Sequence, residues 1–205
     1  MPHRRRFLKQ TAATLAAALA AAALPAPELW AVPRPYRLDP AATHADFIFT
    51  LNGVAQRGSI PVAAARISID AQDLTQSRAD VTLAANQART GITFATDALR
   101  SPQVLDTERF PHIRFVTRRV QLGPGGRLSG GARLHGLLTL RGVTRPLSLA
   151  AALYRPPGSA PTDLALLDIR LSGALSRAAF GAGGYPDLVG DRVGLDIRAR
   201  LLAAG

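Results

Sequence analysis

Residues 133–153 read RLHGLLTLRGVTRPLSLAAAL, two runs of alternating apolar residues hinged on RGVT. Leu134, Gly136, Leu138 and Leu140 share one parity of the first run, and Leu147, Leu149, Ala151 and Leu153 share one parity of the second. Side chains of a strand alternate between faces, so each run offers one apolar face, and a short connection containing Gly joins them as a β-hairpin. What those faces enclose bears directly on function. A closed sheet is either packed solid with its own side chains or left hollow for a guest.

The same alternation extends in both directions. DFIFTL at Asp46–Leu51 alternates around Phe47 and Phe49 and ends in the turn signal Asn52-Gly53. Arg66–Asp70, Ala79–Ala85 and His112–Leu122 read as further strands, and GPGG at Gly123–Gly126 reads as a turn. In LLDIRLSGAL, Leu167, Ile169, Leu171, Gly173 and Leu175 oppose Asp168, Arg170, Ser172 and Ala174. In DRVGLDIRARL, Val193, Leu195, Ile197, Ala199 and Leu201 oppose Arg192, Gly194, Asp196, Arg198 and Arg200. One face in water and one in an apolar interior is the signature of an antiparallel sheet folded on itself. Only TDALRSPQVLD at Thr96–Asp106 breaks the pattern, and it reads as a short helix and loop. The fold is therefore all-β, a barrel or a sandwich. Small inward residues favour a cavity in a barrel of about eight strands, whereas a flattened sandwich would close on the same residues, and periodicity leaves both open.

Composition narrows the chemistry. A chain of 205 residues, 47% hydrophobic, fits one sizeable domain. The absence of Cys excludes a disulfide framework, a thiolate metal site and a cysteine nucleophile. His3, His44, His112 and His135 lie scattered without metal-ligand spacing, and no G-x-S-x-G, H-E-x-x-H, P-loop or G-x-G-x-x-G motif is present. Asp39, His44 and Asp46 flank a strand start, where polar residues are expected. Asp97, Asp106 and Glu108 beside Arg100 and Arg109 read as a salt-bridged loop. No enzymatic machinery is expected, and no metal or covalent cofactor.

Residues 1–31, MPHRRRFLKQTAATLAAALAAAALPAPELWA, combine a basic start with an Ala/Leu stretch too short and weakly apolar for a comfortable membrane span. Arg4-Arg5-Arg6-Phe7-Leu8-Lys9 resembles the twin-arginine export consensus. The expectation is a cleavable signal over 1–31, a mature domain over 32–205 and a periplasmic location. The leader holds four basic residues and one acidic residue, so its removal takes the net charge from +11 to +8. Every basic residue beyond it is Arg, and these arginines alternate along strands without forming a patch. Nucleic acid is not an expected partner. Peripheral contact with anionic lipid headgroups is compatible with the charge.

Several stretches in order resemble the YceI-like family of periplasmic polyisoprenoid-binding proteins. They are Tyr36-Arg37-Leu38-Asp39, His44 with Phe47, Leu99-Arg100-Ser101, Leu105-Asp106, Arg109-Phe110-Pro111 and Phe115. The series continues through Gly136-Leu137-Leu138-Thr139-Leu140-Arg141-Gly142-Val143-Thr144-Arg145-Pro146, Ser176-Arg177, Phe180-Gly181 and Gly190-Asp191 with Val193. The resemblance spans roughly 35–203, and LTLRGVTRP is its most specific piece. It implies an extended, lipocalin-like antiparallel barrel of about eight strands, with a tunnel for an isoprenoid chain such as a polyprenyl lipid or a ubiquinone tail. Ala45, Ala98 and Ala178-Ala179 stand where that pattern usually carries polar side chains, which weakens headgroup contacts there.

On that resemblance the candidate tunnel residues are Phe47, Phe49, Phe94, Leu99, Leu105, Phe110, Phe115, Leu138, Leu140 and Phe180. Arg100, Asp106, Arg177 and Asp191 are candidates for ordering the mouth or gripping a polar head. The expected ligand is a non-covalent isoprenoid lipid or quinone. The alternative is a closed barrel serving as a structural partner of a quinone-linked membrane electron-transfer protein. Oligomeric state is open, a homodimer included.

Overall fold

The computed structural model describes residues 33–123, 131–160 and 163–204. The leader over 1–31 and most of the GPGG turn lie outside the described residues. The strands are β1 (Arg34–Leu38), β2 (His44–Leu51), β3 (Val54–Ser59), β4 (Val62–Ile69), β5 (Arg78–Ala84), β6 (Arg89–Thr90), β7 (His112–Leu122), β8 (Ala132–Leu140), β9 (Val143–Tyr154), β10 (Leu166–Ser176) and β11 (Arg192–Ala203). One α-helix, α1 (Thr93–Arg100), lies between β6 and β7.

All strand pairings are antiparallel, and the ring β1–β4–β5–β7–β8–β9–β10–β11 closes because β1 pairs with both β4 and β11. The result is a closed eight-stranded barrel. β11 pairs with β1 through Leu201–Ala203 and with β2 through Gly194–Arg198, so β1 and β2 act as one bent strand. The bend is a single 3-10 turn over Pro40–Ala42, capped by the Asp39 carboxylate accepting from the Ala41 amide at 3.0 Å. β3 and β4 form a second bent strand around Ile60-Pro61, where Pro61 has no amide to donate to a ladder. Beyond the bends β2 pairs with β3 and β3 with the short β6, and α1 packs against β6 at this end.

Two-residue turns set the register. Asn52 and Gly53 have φ of 49° and 76°, and Arg141 and Gly142 have φ of 50° and 73°. Positive φ at both central residues matches the right-handed twist of the flanking strands, and it joins β2 to β3 and β8 to β9. The opening hairpin is thus confirmed, with Gly136 opposite Leu147 and Leu140 opposite Val143. The β7 span coincides with the sequence reading, whereas β1 and β3 were not foreseen. Pro35 disguises β1. In β3 the apolar face is supplied by its partner: Phe47 stands opposite Gly58, and a Cβ at Gly58 would overlap the Phe47 ring.

The outer face carries the charged parity. Arg114 makes a bidentate pair with Asp80 across β5 and β7 (2.8 and 2.6 Å), and Arg200 makes one with Asp168 across β10 and β11 (2.9 and 3.1 Å). Hydrogen bonds from these guanidiniums hold the Asp80 and Asp168 carboxyls below the usual carboxylate range.

Candidate ligand-binding site

The inward parities of the strands enclose a cavity of about 780 Å³. This lies within the usual range for small-molecule sites. The barrel is therefore hollow, and the closed-barrel alternative does not describe its interior. β11 contributes Val193, Leu195, Ile197, Ala199 and Leu201 to the wall, and β9 contributes Leu147, Leu149, Ala151 and Leu153. These are the apolar parities read from sequence.

The two ends of the cavity differ. At the end away from α1, Tyr36, Ile69, Leu167 and Leu201 form a buried cluster, with Leu167 1% and Leu201 0% exposed. The Tyr36 hydroxyl donates to the Leu164 carbonyl at 2.8 Å, so the ring is satisfied as it closes this floor. At the other end Phe94 of α1, Tyr185 and Leu188 both line the cavity and face solvent, at 67, 42 and 48% exposure. Residues that do both mark the mouth.

Arginines hold the mouth together through backbone carbonyls. Arg177 is 7% exposed, and its guanidinium donates to the carbonyls of Ala182 (2.7 Å), Gly184 (2.7 Å), Val189 (2.7 Å) and Gly190 (3.1 Å). One side chain thereby clasps the whole loop that presents Tyr185 and Leu188. Burial lowers its pKa from the ordinary arginine value. Arg141, displayed by the positive-φ hairpin turn, donates to the Gly181 carbonyl and to the Pro102 carbonyl (2.7 Å), and Arg145 donates to the Ala179 carbonyl at 2.6 Å. The loop is also stitched to the tip of β2, where the Asn52 amide donates to the Leu188 carbonyl at 2.8 Å.

The other polar candidates shape backbone as well. Arg100 donates from Nε to the Ala88 carbonyl at 2.8 Å, pinning the end of α1. Asp106, 4% exposed with φ of 52°, turns the chain after α1 and pairs with Arg109 at 3.4 Å. The Asp191 carboxylate accepts from the Ala178 amide at 2.8 Å, and its pKa is held low first by a hydrogen bond from the Ser176 hydroxyl and then by that amide. Of these four, Arg177 alone borders the cavity.

Phe47, Phe49, Phe94, Leu99, Leu105, Phe115, Leu138 and Leu140 border the cavity, and Phe110 and Phe180 do not. Phe180 is 3% exposed and packs in the core cluster that includes Ala85, Ala88 and Ala182. Phe110 lies against Gly142, with the Arg109 guanidinium 5.2 Å from its ring centroid. Sequence reading favoured aromatic residues, while most of the wall is aliphatic. It missed Tyr185 and Leu188, whose one local signal is that these large side chains stand in the Gly-rich stretch GAGGYPDLVG.

Asp39 caps the bend, Asp46 pairs with Arg57 at 2.9 Å on the outer face, and His135 bonds Ser148 and Gln121 outside the barrel. Among the described residues no cluster of three or more His, Asp or Glu side chains has the spacing of a metal site.

Solved structures with this fold include BcnA of Burkholderia cenocepacia, at 16% identity and a TM-score of 0.68, covering 80% of this chain and 99% of that one. A polyisoprenoid binding domain from Saccharophagus degradans, implicated in plant cell wall breakdown, aligns at 13% identity and a TM-score of 0.58, covering 83% and 99%. The Campylobacter jejuni YCEI protein aligns at 16% identity and a TM-score of 0.57, covering 72% and 85%. At such identities the likeness concerns the fold. No curated protein sequence matches the chain significantly. The YceI-like domain family matches residues 36–201, almost the whole barrel, and the chain belongs to that family.

Proposed function

We propose that this protein is an exported, periplasmic carrier that encloses a long isoprenoid chain, a polyprenyl lipid or the tail of a ubiquinone-like quinone, for storage or transport. The observation that carries the reading is the cavity itself: an apolar tunnel sealed at one end and open at an apolar mouth. Burial of the tail drives affinity at about 0.8 kcal/mol per methylene, offset by the entropic costs of binding. No acid, base or nucleophile is needed for this, which fits a binding role without chemistry. The polyisoprenoid-binding neighbour of like fold and the family membership support the ligand class.

The mouth suits loading from a bilayer. Phe94, Tyr185 and Leu188 project apolar surface at the rim, where a lipid leaving a membrane would first meet the protein. Peripheral docking of this rim on a membrane, or on a quinone-linked membrane protein, would let the tail slide in without crossing water.

The test is mild purification of the mature protein from its native periplasm, native mass spectrometry, and mass analysis of solvent-extracted material. A stoichiometric isoprenoid species is the expected result. Protein at its bare mass that also takes up no added isoprenoid would overturn the reading.

A further inference from the structure

β7 turns Ile113, Phe115, Thr117 and Val120 towards the cavity, the parity shifting at a β-bulge between Thr117 and Arg119. Thr117 is the polar member of this set. It is 4% exposed, it borders the cavity, and its Oγ1 has no hydrogen-bond partner among the described residues. Among the other hydroxyls on the wall, Thr90 is bonded to the Ile92 carbonyl, Ser101 to the Ala98 carbonyl and Ser77 to the Asp70 amide, while Ser68 and Tyr185 are less buried than Thr117. Buried polar groups are nearly always paired, and a valine of the same shape would avoid the cost of this one.

Its neighbours across the sheet are small. Thr117 stands opposite Gly136 on β8, and one register step beyond the Asp80–Val116 pair places Ala79 beside it on β5. A Cβ at Gly136 would overlap the Phe115 ring, so that ring lies over the glycine facing the hydroxyl. The Phe115 ring thus packs over Gly136 beside the unpartnered hydroxyl, and on the β5 side Thr117 meets the small side chain of Ala79, which also borders the cavity. Thr117 lies about 17 Å along β7 from the strand's mouth end, at roughly 3.3 Å per residue.

We propose that Thr117 Oγ1 is a hydrogen-bonding subsite for one oxygen, carbonyl or hydroxyl, on the polar head of the bound isoprenoid, and that this head sits inside the barrel instead of at its mouth. The inference rests on the carrier reading above. It places a specificity element in the tunnel: hydrocarbon alone satisfies the wall, while an oxygenated head also satisfies Thr117.

The experiment compares wild type, Thr117→Val and Thr117→Ser for binding a short-tailed ubiquinone, a polyprenol and squalene, an isoprenoid hydrocarbon with no oxygen. Thr117→Val is expected to weaken ubiquinone or polyprenol about tenfold while leaving squalene unchanged, and Thr117→Ser to retain most of the affinity. Loss for ubiquinone alone assigns a carbonyl partner, and loss for the polyprenol alone a hydroxyl. The ligand-free Thr117→Val protein is expected to melt no lower than wild type, since the orphan hydroxyl is gone. Equal losses for all three probes, no loss for either oxygenated one, or a lower melting temperature of ligand-free Thr117→Val would overturn the subsite while leaving the carrier reading intact. Wild type that binds none of the probes would overturn the carrier reading and the subsite with it.

Discussion

The floor and the mouth of this barrel are held by opposite means. At the floor, Tyr36, Ile69, Leu167 and Leu201 fill the space between strands with apolar side chains, and the one polar group among them is spent on the Leu164 carbonyl. At the mouth, Arg177, Arg141, Arg145 and Arg100 reach to carbonyls of neighbouring loops, and the large apolar residues there face water. Packing seals a passage because it occupies it. Arginine-to-carbonyl bonds tie loops together at their edges and leave the lumen clear, and one planar guanidinium offers five donors for the purpose. The difference shows how one short barrel can be a closed vessel at one end and an open one at the other.

Truncation should separate the two ends. Leu201→Ala removes a fully buried floor residue and is expected to cost about 3 kcal/mol globally, a fall in Tm on the order of 10 °C. Arg177→Met should cost less globally, about 1–3 kcal/mol, yet release the 181–190 loop. Limited proteolysis should then cut within that loop, and bound lipid should dissociate faster than from Leu201→Ala. Cleavage and release rates that rank the other way would mean that the clasp does not control the mouth.

The next effect is kinetic. Phe94→Asp with Leu188→Asp places charge on the exposed rim and should slow lipid uptake from anionic vesicles about tenfold, with stability within about 0.5 kcal/mol of wild type. Uptake at the wild-type rate would detach the rim from loading.

The smallest effect concerns the outer wall, which belongs to neither end. Asp80 and Asp168 have folded-state pKa values below their unfolded ones, so their stabilisation is full above the ordinary aspartate range and is lost as pH falls through the depressed values. Tm should stay flat down to about pH 4.5 and drop by a few degrees below it, less so in high salt. Asp191 at the mouth has the same sign, so an Asp191→Asn variant should lose part of the acid sensitivity.

Much of the wall could be read in the sequence, and the reason is local. Strand alternation is written in consecutive residues, so β7 to β11 and the inward parity of Leu138, Leu149, Ile169 and Leu195 follow from spacing, as do the Asn52-Gly53 and Arg141-Gly142 turns from their residue types. β3 escaped because its inner face is made by Phe47 from the neighbouring strand. Phe110 and Phe180 are apolar residues of the right kind, yet parity says only that a side chain points inward, and loop packing decided that both would lie outside the cavity.

By itself, then, the sequence determined an antiparallel all-β chain with apolar and charged faces, its turns, and, through the ordered motifs around LTLRGVTRP, its family. Tertiary structure decided that the barrel is hollow, which end is open, that Arg177 clasps backbone instead of meeting a carboxylate, and that the Thr117 hydroxyl is buried beside the cavity without a partner. Those outcomes depend on which distant side chains share a space once the ring closes, and volume and hydrogen-bond partnership are properties of that closure, not of any one strand.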